Sequence, residues 1–579
     1  MPKLNWILVL LPALLLGACG NDEGRGTAGD ETTAERPMDQ QQTAAPAEAE
    51  PAITADELAE HIKTLSSDEF GGREPSTPGA EKAVEYIAAQ FEAAGLEPGI
   101  DGGWYQQVPL VSITLDPATT VSIEGLDEPL VLRQGENTVL WTKRVRDQVS
   151  LEDSDLVFVG YGVVAPEYDW NDYEGLDVEG KTVVILVNDP GYGTQDPDLF
   201  TGNKMTYYGR WTYKYEEAAR QGAAGAIVIH ETEPAGYPWE VVTGSWTGPQ
   251  YDLVPENENM DRVKVEGWIT HEIADQLFQH IGMSLDAAKQ AALQEDFEPI
   301  PLEATMSTVL NNTIEKTNSR NVVGVIEGSA RPQESVLYMA HWDHLGTDPN
   351  LEGDQIYNGA VDNATGVAGL IELAGKFSAG EPPERSVVFL AVTAEESGLL
   401  GSKYYANNPA WPLELTAAVI NMDAMSPYGK TNDLVVVGYG MNELQGYLER
   451  AAAEQGRTLV PEPTPEKGFY FRSDHFNFAK KGVPALYAEA GNDYVEGGTE
   501  RGEKLEAEYT AERYHKPGDE YDPSWDLSGM VQNLELFYQV GNTIADSNAW
   551  PEWLENVSFR AIREKSADQR QGGEQAGGE

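Results

Sequence analysis

From Asn321 onward the sequence alternates short apolar runs with segments of helical periodicity, and this alternation restricts the fold more than any other feature. The apolar runs are Val336–Ala340, Ser386–Thr393, Ala417–Met422, Leu434–Val437 and Val483–Ala488, and the helical segment after the first of them is Ala364–Phe377. Continuous apolar runs of this length are typical of strands that are buried on both faces. We therefore predict an α/β fold in which helices cover both faces of a sheet with parallel strands.

The preceding part of the chain has two other patterns. Residues 53–110 have apolar side chains at helical spacing, for example Leu58, Ile62 and Leu65, which predicts helices. Between about 112 and 305 the pattern changes to short runs rich in β-branched residues. This change predicts a β-rich module inserted into the α/β domain.

Composition and charge exclude several classes of protein. The 579 residues include 39 basic and 96 acidic side chains, which gives a net charge of −57. Such a chain repels a phosphate backbone, and no stripe of Lys and Arg offsets the repulsion, so we expect no nucleic-acid partner. The single cysteine excludes an internal disulfide and a Cys-based zinc finger, so any metal must be held by His, Asp and Glu.

The N-terminus has the features of a secretory signal. A positive charge at Lys3 precedes the apolar run Trp6–Leu16, which is too short to span a bilayer. The segment Leu15–Cys19 resembles the bacterial lipoprotein box, which implies that residues 1–19 are a lipoprotein signal and that Cys19 is lipidated. The alternative is a plain signal peptide that is cut near Ala18.

The residues around this signal predict where the protein resides. In lipoproteins of this kind, Gly rather than Asp after the lipidated cysteine points to the outer membrane, facing the periplasm or the cell surface. Residues 20–52 are polar and small, which is typical of a disordered tether, and residues 551–579 form a C-terminal tail. We therefore expect a protein of the bacterial cell envelope, attached to the membrane through Cys19.

Three of the apolar runs are followed by a histidine or an acid, where ligand sites of open α/β sheets lie. His341 and Asp343 follow the first run, Glu395 and Glu396 the second, and Asp423 the third. Residues two apart share a face of extended backbone, so Asp343 is placed to orient the imidazole of His341. Adjacent carboxylates such as Glu395 and Glu396 repel each other unless a cation or a shared proton compensates.

Two further residues complete the candidate site. Asp362 precedes the amphipathic helical segment, where it is either a ligand or a helix cap, and His515 lies in a Pro-Gly loop. Two histidines and three carboxylates without a competing cysteine suit two divalent ions. One carboxylate is then free to bridge the ions, and another glutamate is free to act as a base.

Five motifs, in this order and spacing, resemble the co-catalytic zinc exopeptidases of the bacterial leucyl aminopeptidase type. The motifs are Ala340–Gly346, Gly359–Gly366, Thr393–Ser402, Asn421–Asp423 and Tyr514–Asp519. Gly160–Gly162 and Ala218–Ala226 resemble the protease-associated domain that is inserted in some members. The resemblance implies a mixed, mostly parallel sheet sandwiched by helices, a peptidase domain in two parts (53–111 and 306–550) and a protease-associated domain at 112–305.

The resemblance also implies residue roles. The implied ligands of two zinc ions per chain are His341 and Asp423 for one ion, Glu396 and His515 for the other, and Asp362 as the bridge. Glu395 is the implied general base and Asp343 the implied orienter of His341. The expected reaction is hydrolysis of N-terminal residues from peptides by a zinc-activated water, with zinc also holding the substrate's free α-amine.

Three more residues are expected near the substrate pocket, again from the resemblance. They are Arg472, Asp474 and His475, whose alternative role is a helix cap beside core residues. His344 has no ligand role in this scheme. The alternatives to an aminopeptidase are a glutaminyl cyclase or a carboxypeptidase on the same fold, or an inactive binding protein, although intact ligands speak against the last.

Overall fold

The computed structural model describes residues 52–555, 557–567 and 570, so the predicted signal and lipidation site at Cys19 lie outside the described residues. The α-helices are Ala55–Leu65, Pro78–Ala93, Pro190–Thr194, Trp211–Gln221, Thr232–Ala235, Trp239–Trp246, His271–His280, Leu285–Ala291, Thr365–Ala379, Leu400–Asn407, Leu444–Glu454, His475–Ala479, Gly498–Glu512, Ser528–Ala545 and Arg560–Lys565. Within this described part, no helix is long and apolar enough to cross a bilayer.

The strands form a large sheet and a second sheet. The large sheet has the order Pro249–Leu253, Tyr105–Leu115, Ile300–Ile326, Arg385–Val392, Arg331–His341, Thr416–Asn421, Ala485–Ala490, Asp433–Val437 and Thr458–Pro461, with Glu97–Pro98 also paired to Ile300–Ile326. The second sheet has the order Leu130–Arg133, Thr120–Glu124, Ile300–Ile326, Gln148–Phe158, Thr182–Leu186, Gly225–His230, Val265–Thr270 and Thr138–Trp141. Two short hairpins pair Val164–Ala165 with Trp170–Asn171 and Gly346–Thr347 with Ile356–Tyr357.

Four neighbouring strands at the centre of the large sheet are parallel to one another: Arg385–Val392, Arg331–His341, Thr416–Asn421 and Ala485–Ala490. The strands that flank this group, Ile300–Ile326 and Asp433–Val437, pair with it in the antiparallel direction. Met339 lies opposite Asn421, and Asn421 lies opposite Tyr487. Side chains that follow these strands therefore emerge together at one edge. The predicted α/β fold with a mixed sheet is confirmed.

Helices cover both faces of the large sheet. On one face Phe91, Leu370 and Leu534 from three helices pack in a common core with the sheet residue Phe389. On the other face, helical Tyr405 and Phe478 pack on strand residues such as Leu390 and Val419. Burial of one face of each helix is what the helical spacing of apolar residues in the sequence predicts.

The strand Ile300–Ile326 joins the two sheets, because residues 300–311 pair in the second sheet and residues 312–326 in the large sheet. The predicted boundaries at 112 and 305 each fall inside a strand, namely Tyr105–Leu115 and Ile300–Ile326. The helical pattern also ends earlier than predicted, since residues 105–110 are extended and paired with Ile300–Ile326. The domain boundaries stay predictions, and the segment between them is called the 112–305 segment below.

The 112–305 segment contacts residues 465–476, which lie between the strands Thr458–Pro461 and Ala485–Ala490. The Tyr207 ring lies against Phe471 and Phe476, with ring centroids 6.1 and 5.1 Å apart. The backbone N–H of Met205 donates to the carbonyl of Pro465 over 3.1 Å. This contact brings residues of the 112–305 segment close to the edge where the candidate ligands emerge.

Candidate metal centre

The first group of candidate ligands forms around His341. His341 ends one central strand, and Asp423 lies two residues beyond the next. Nε2 of His341 is 3.1 Å from Oδ1 of Asp423 and 3.3 Å from Oδ1 of Asp362. Although burial opposes a charged imidazole, the carboxylates of Asp423 and Glu395 raise the pKa of His341 well above its usual value. Positive charge is therefore strongly favoured at this point.

A second group forms around Glu396. Nε2 of His515 is 3.2 Å from Oε2 of Glu396 and 3.4 Å from Oδ2 of Asp362. Asp362 thus directs Oδ1 toward the first group and Oδ2 toward the second. A carboxylate in this position can bridge two ions. All five side chains that the sequence predicts as ligands meet here.

His344 belongs to the second group, although no sequence argument assigned it a role. Its Nδ1 is 2.6 Å from Oε1 of Glu396, and its side chain is fully buried. Its Nε2 is also buried and has no hydrogen-bond partner among the described residues. His344 follows His341 by only three residues, so its proximity to the site was visible in the sequence. The family resemblance, however, has no ligand at this position.

The donor set fits zinc. In the sets His341–Asp362–Asp423 and His344–Asp362–Glu396, one ligand atom of each residue lies within 4.8 Å of the others. Tetrahedral ligands at about 2.0–2.1 Å from zinc are roughly 3.3 Å apart, and the contacts of His341 and His515 lie close to that spacing. Imidazole and carboxylate donors are those that zinc takes in the absence of cysteine.

The two adjacent glutamates lie in different electrostatic environments. Burial, with the nearby Glu396 and Asp423 carboxylates, raises the pKa of Glu395 well above its usual value. The pKa of Glu396 is lowered to about 2 because, against the effect of burial, His515 and His344 stabilise its anion. Environments that separate the pKa values of two neighbouring acids are characteristic of acid–base sites. Glu396 is thus suited to bind a cation and Glu395 to transfer a proton.

Asp343 contacts the glutamate turn more closely than the ring of His341. Nδ1 of His341 is 3.2 Å from the backbone carbonyl of Asp343 and 3.9 Å from its carboxylate. The carboxylate accepts hydrogen bonds from the backbone N–H groups of Glu395 and Glu396, over 3.1 and 3.4 Å. Asp343 therefore contacts His341 through its backbone and fixes the turn that carries both glutamates through its side chain.

A hydrogen-bonded chain supports Asp423. The Ser473 hydroxyl donates to Oδ2 of Asp423 over 2.6 Å, and the Asn421 side-chain amide donates to the Ser473 oxygen over 2.7 Å. Both Ser473 and Asn421 are buried. Hydrogen bonds of this type orient ligating carboxylates and are part of the design of metal sites.

Arg73 and Asp519 hold the loops that carry the ligands. The buried Arg73 guanidinium donates to the carbonyls of Leu65, Trp342, Asn358 and Gly359 over 2.6–2.8 Å. The Asp519 carboxylate accepts hydrogen bonds from the backbone N–H groups of Val361 and of Asp362, the candidate bridging residue. Nothing in the local sequence around Arg73 points to this role.

Two of the residues predicted near the substrate pocket are buried beside the centre. Asp474 accepts a hydrogen bond from the Ser402 hydroxyl over 2.5 Å, and burial raises its pKa to about 7. His475 lies against the rings of Tyr470 and Tyr487, and burial lowers its pKa to about 3. His475 is therefore neutral and packed among aromatic rings.

The third of these residues, Arg472, faces the 112–305 segment. Its guanidinium donates to the carbonyl of Lys467 over 2.6 Å and lies over the rings of Phe469 and Tyr237. Tyr237 belongs to the 112–305 segment, so Arg472 is placed at the contact between the two parts of the chain. The substrate-binding role of Arg472, Asp474 and His475 stays a prediction.

Curated proteins that are similar to this chain include a zinc metalloprotease and an aminopeptidase. A "Probable zinc metalloprotease" of Pyrenophora tritici-repentis is 30% identical over 249 residues, which cover 42% of this chain and 54% of the relative. The "Aminopeptidase NAALADL1" of Mus musculus is 32% identical over 136 residues, which cover 22% of this chain and 17% of the relative. The chain thus spans about half the length of the first relative and less than a fifth of the second.

Solved structures with a similar arrangement are also found. An aminopeptidase from Aneurinibacillus sp. strain AM-1 has 20% identity and a TM-score of 0.47, covering 85% of this chain and 94% of that chain. The zinc aminopeptidase BSAP from Bacillus subtilis has 17% identity and a TM-score of 0.38, covering 89% and 98%.

A family model, described as Peptidase family M28, matches residues 321–538. This range contains both groups of the metal centre and all five motifs from which the zinc exopeptidase resemblance was predicted. That predicted resemblance is confirmed. Residues 321–538, which carry every side chain of the candidate metal centre, are therefore similar to peptidase family M28.

Proposed function

We propose that this protein is a zinc-dependent aminopeptidase that removes N-terminal residues from peptides. The observation that carries the proposal is the pair of adjoining histidine–carboxylate groups that share Asp362, with Glu395 beside them. Similarity to a probable zinc metalloprotease and to an aminopeptidase supports zinc and this reaction class.

The proposed centre holds two zinc ions. His341 and Asp423 would hold one ion, Glu396 and His515 would hold the other, and Asp362 would contribute to both. When bound, zinc supplies Lewis acidity that polarises the scissile carbonyl and makes a water more acidic. The close contact of His344 with Glu396 places it as a support for that carboxylate.

The residues of the chain move the proton and hold the geometry. Glu395 accepts the proton of the attacking water at its carboxylate and donates it to the nitrogen of the leaving amine. Asp343 holds the Glu395 backbone N–H and so limits the movement of the base. Ser473 fixes the orientation of Asp423 through its hydroxyl. A positioned base of this kind contributes about two to four orders of magnitude to a rate.

The metal content separates the alternatives. A glutaminyl cyclase of this fold works with one zinc, so one ion per chain favours that activity. A carboxypeptidase requires a substrate with a free C-terminal carboxylate. An inactive binding protein is disfavoured by the complete set of ligands and by the high pKa of Glu395.

Metal removal is expected to abolish hydrolysis of aminoacyl amides, because the carbonyl and the water then lose their Lewis acid. The measurement is amide hydrolysis by the purified protein before and after dialysis against a chelator, and after zinc is restored. N-acetylated amides serve as the control and should not be cleaved, since they lack a free α-amine. Activity that survives the chelator, or that is confined to blocked peptides, contradicts the proposal.

We also propose that the protein is a lipoprotein of the bacterial cell envelope, anchored at Cys19. Cys19→Ser is expected to move the protein from the membrane fraction to the soluble fraction, because attachment then lacks acyl chains. Immunoblotting of washed membranes measures the change, with Asn21→Ser as the matched control. Unchanged membrane attachment of Cys19→Ser contradicts the anchor.

A further inference from the structure

One acidic side chain at the edge of the large sheet has no role in the proposed reaction. Glu489 lies near the end of the strand Ala485–Ala490, which runs parallel to the strand before Asp423. Tyr487 lies opposite Asn421 in this pair. Since Glu489 and Asp423 each follow these residues by two positions, the register brings Glu489 alongside a ligand of the metal centre.

Glu489 has no ion-pair partner. The Tyr487 side chain, two residues earlier on the same face of the strand, interacts with its carboxylate. Among the residues that the structure describes, Glu489 forms no salt bridge with Lys, Arg or His within 4.0 Å. Burial, with the Asp423 and Glu462 carboxylates, raises its pKa to about 7. A carboxylate in such surroundings is stabilised by a cation that arrives from outside.

A second carboxylate, that of Glu462, acts electrostatically on Glu489 from two strands further along the sheet. Glu462 follows the strand Thr458–Pro461 and is 7% exposed. One of its oxygens accepts the backbone N–H of Gly438 over 3.1 Å, whereas Oε2 is buried and has no partner in the described part of the chain. Lys204 is nearby, but its ammonium donates to the carbonyl of Tyr439 over 3.0 Å. Glu462 therefore keeps an unpaired acceptor, and its carboxylate acts electrostatically on Glu489.

We propose that Glu489, which the strand register places beside Asp423, forms a subsite for the cationic side chain of a substrate whose first residue is Lys or Arg. This inference rests on the proposed aminopeptidase function. Because Glu489 lies beside Asp423, a side chain that extends from a first residue at the metal centre can reach its carboxylate. An ammonium or guanidinium there forms charge-assisted hydrogen bonds to a site that no protein cation fills.

The α-ammonium group of the substrate is a second cation that can bind the Glu489 carboxylate. Lysine and norleucine separate the two sources, because both have an α-amine and a straight side chain but only lysine has a side-chain ammonium. A subsite for the side chain selects between them, whereas a subsite for the α-amine does not. The comparison therefore assigns the group that Glu489 binds.

The experiment measures kcat/KM for lysyl and norleucyl p-nitroanilides. The wild-type protein is expected to prefer the lysyl substrate by tenfold or more, and Glu489→Gln is expected to reduce this ratio by tenfold or more. Glu462→Gln is expected to reduce it by a smaller factor. Glu449→Gln, which alters an exposed glutamate on the helix Leu444–Glu454, is the matched control and should keep the wild-type ratio.

The possible outcomes are distinct. A lysyl-to-norleucyl ratio that Glu489→Gln does not change overturns the proposal, and an equal loss on both substrates overturns the side-chain assignment in favour of the α-ammonium. Wild-type protein that cleaves neither substrate refutes the proposed function itself, before any variant is compared. Inhibition of the wild-type protein by lysinamide and by norleucinamide tests the same selectivity without a variant, and equal inhibition overturns the proposal.

Discussion

Glu395→Gln is expected to lower kcat by about two to four orders of magnitude while zinc content stays at the wild-type value. The amide keeps the size of the side chain but cannot accept the proton of the attacking water. Glu396→Ala is expected to lower zinc content instead, because Glu396 is the carboxylate that His515 and His344 face. Metal analysis and steady-state kinetics on the same preparations measure both effects.

The two glutamates act as controls for each other, since they are adjacent in sequence and share the turn that Asp343 holds. A general loss of folding would lower metal content and activity in both variants together. Loss of zinc from Glu395→Gln with retention in Glu396→Ala would reverse the assignment of base and ligand. Retention of wild-type kcat in Glu395→Gln would exclude Glu395 as the base.

Asp519→Ala is expected to weaken zinc binding by about 10–100-fold, although Asp519 is not a proposed ligand. Asp519 is fully buried and accepts the backbone N–H groups of Val361 and Asp362 over 3.0–3.1 Å. Without this acceptor, two buried N–H groups lose their partner, at a cost of about 1–3 kcal/mol for each. The loop that presents the shared carboxylate of Asp362 then loses its fixed position.

Competition with a chelating dye measures the change in zinc affinity. Glu520→Ala is the control, because Glu520 is an exposed neighbour whose side chain forms no hydrogen bond to residues 359–364 among the described residues. Asp519→Asn should fall between wild type and Asp519→Ala, since its amide oxygen still accepts one of the hydrogen bonds. Wild-type zinc affinity in Asp519→Ala would show that the loop holds its position without this carboxylate.

Local pattern in the sequence was sufficient to predict the central strands, and the resemblance to zinc exopeptidases added the proposed ligands. Apolar runs such as Val336–Ala340 predict buried strands because burial on both faces requires apolar side chains throughout. Since parallel strands end at one edge, the residues that follow them, His341, Glu396 and Asp423, were expected to meet. The structure brings them together with Asp362 and His515.

Only the tertiary structure decided which residues support and extend this centre. Arg73 donates to carbonyls 269 to 286 positions away, and no local pattern encodes such a contact. The hydrogen bond from Ser473 to Asp423 depends on loop packing, and the position of Glu489 beside Asp423 depends on strand register. The sequence by itself predicted the central strands, because periodicity is a local property, and its resemblance to zinc exopeptidases supplied the proposed metal ligands. Long-range packing determined the supporting hydrogen bonds and the acidic surroundings of Glu489, because both arise where distant segments of the chain meet.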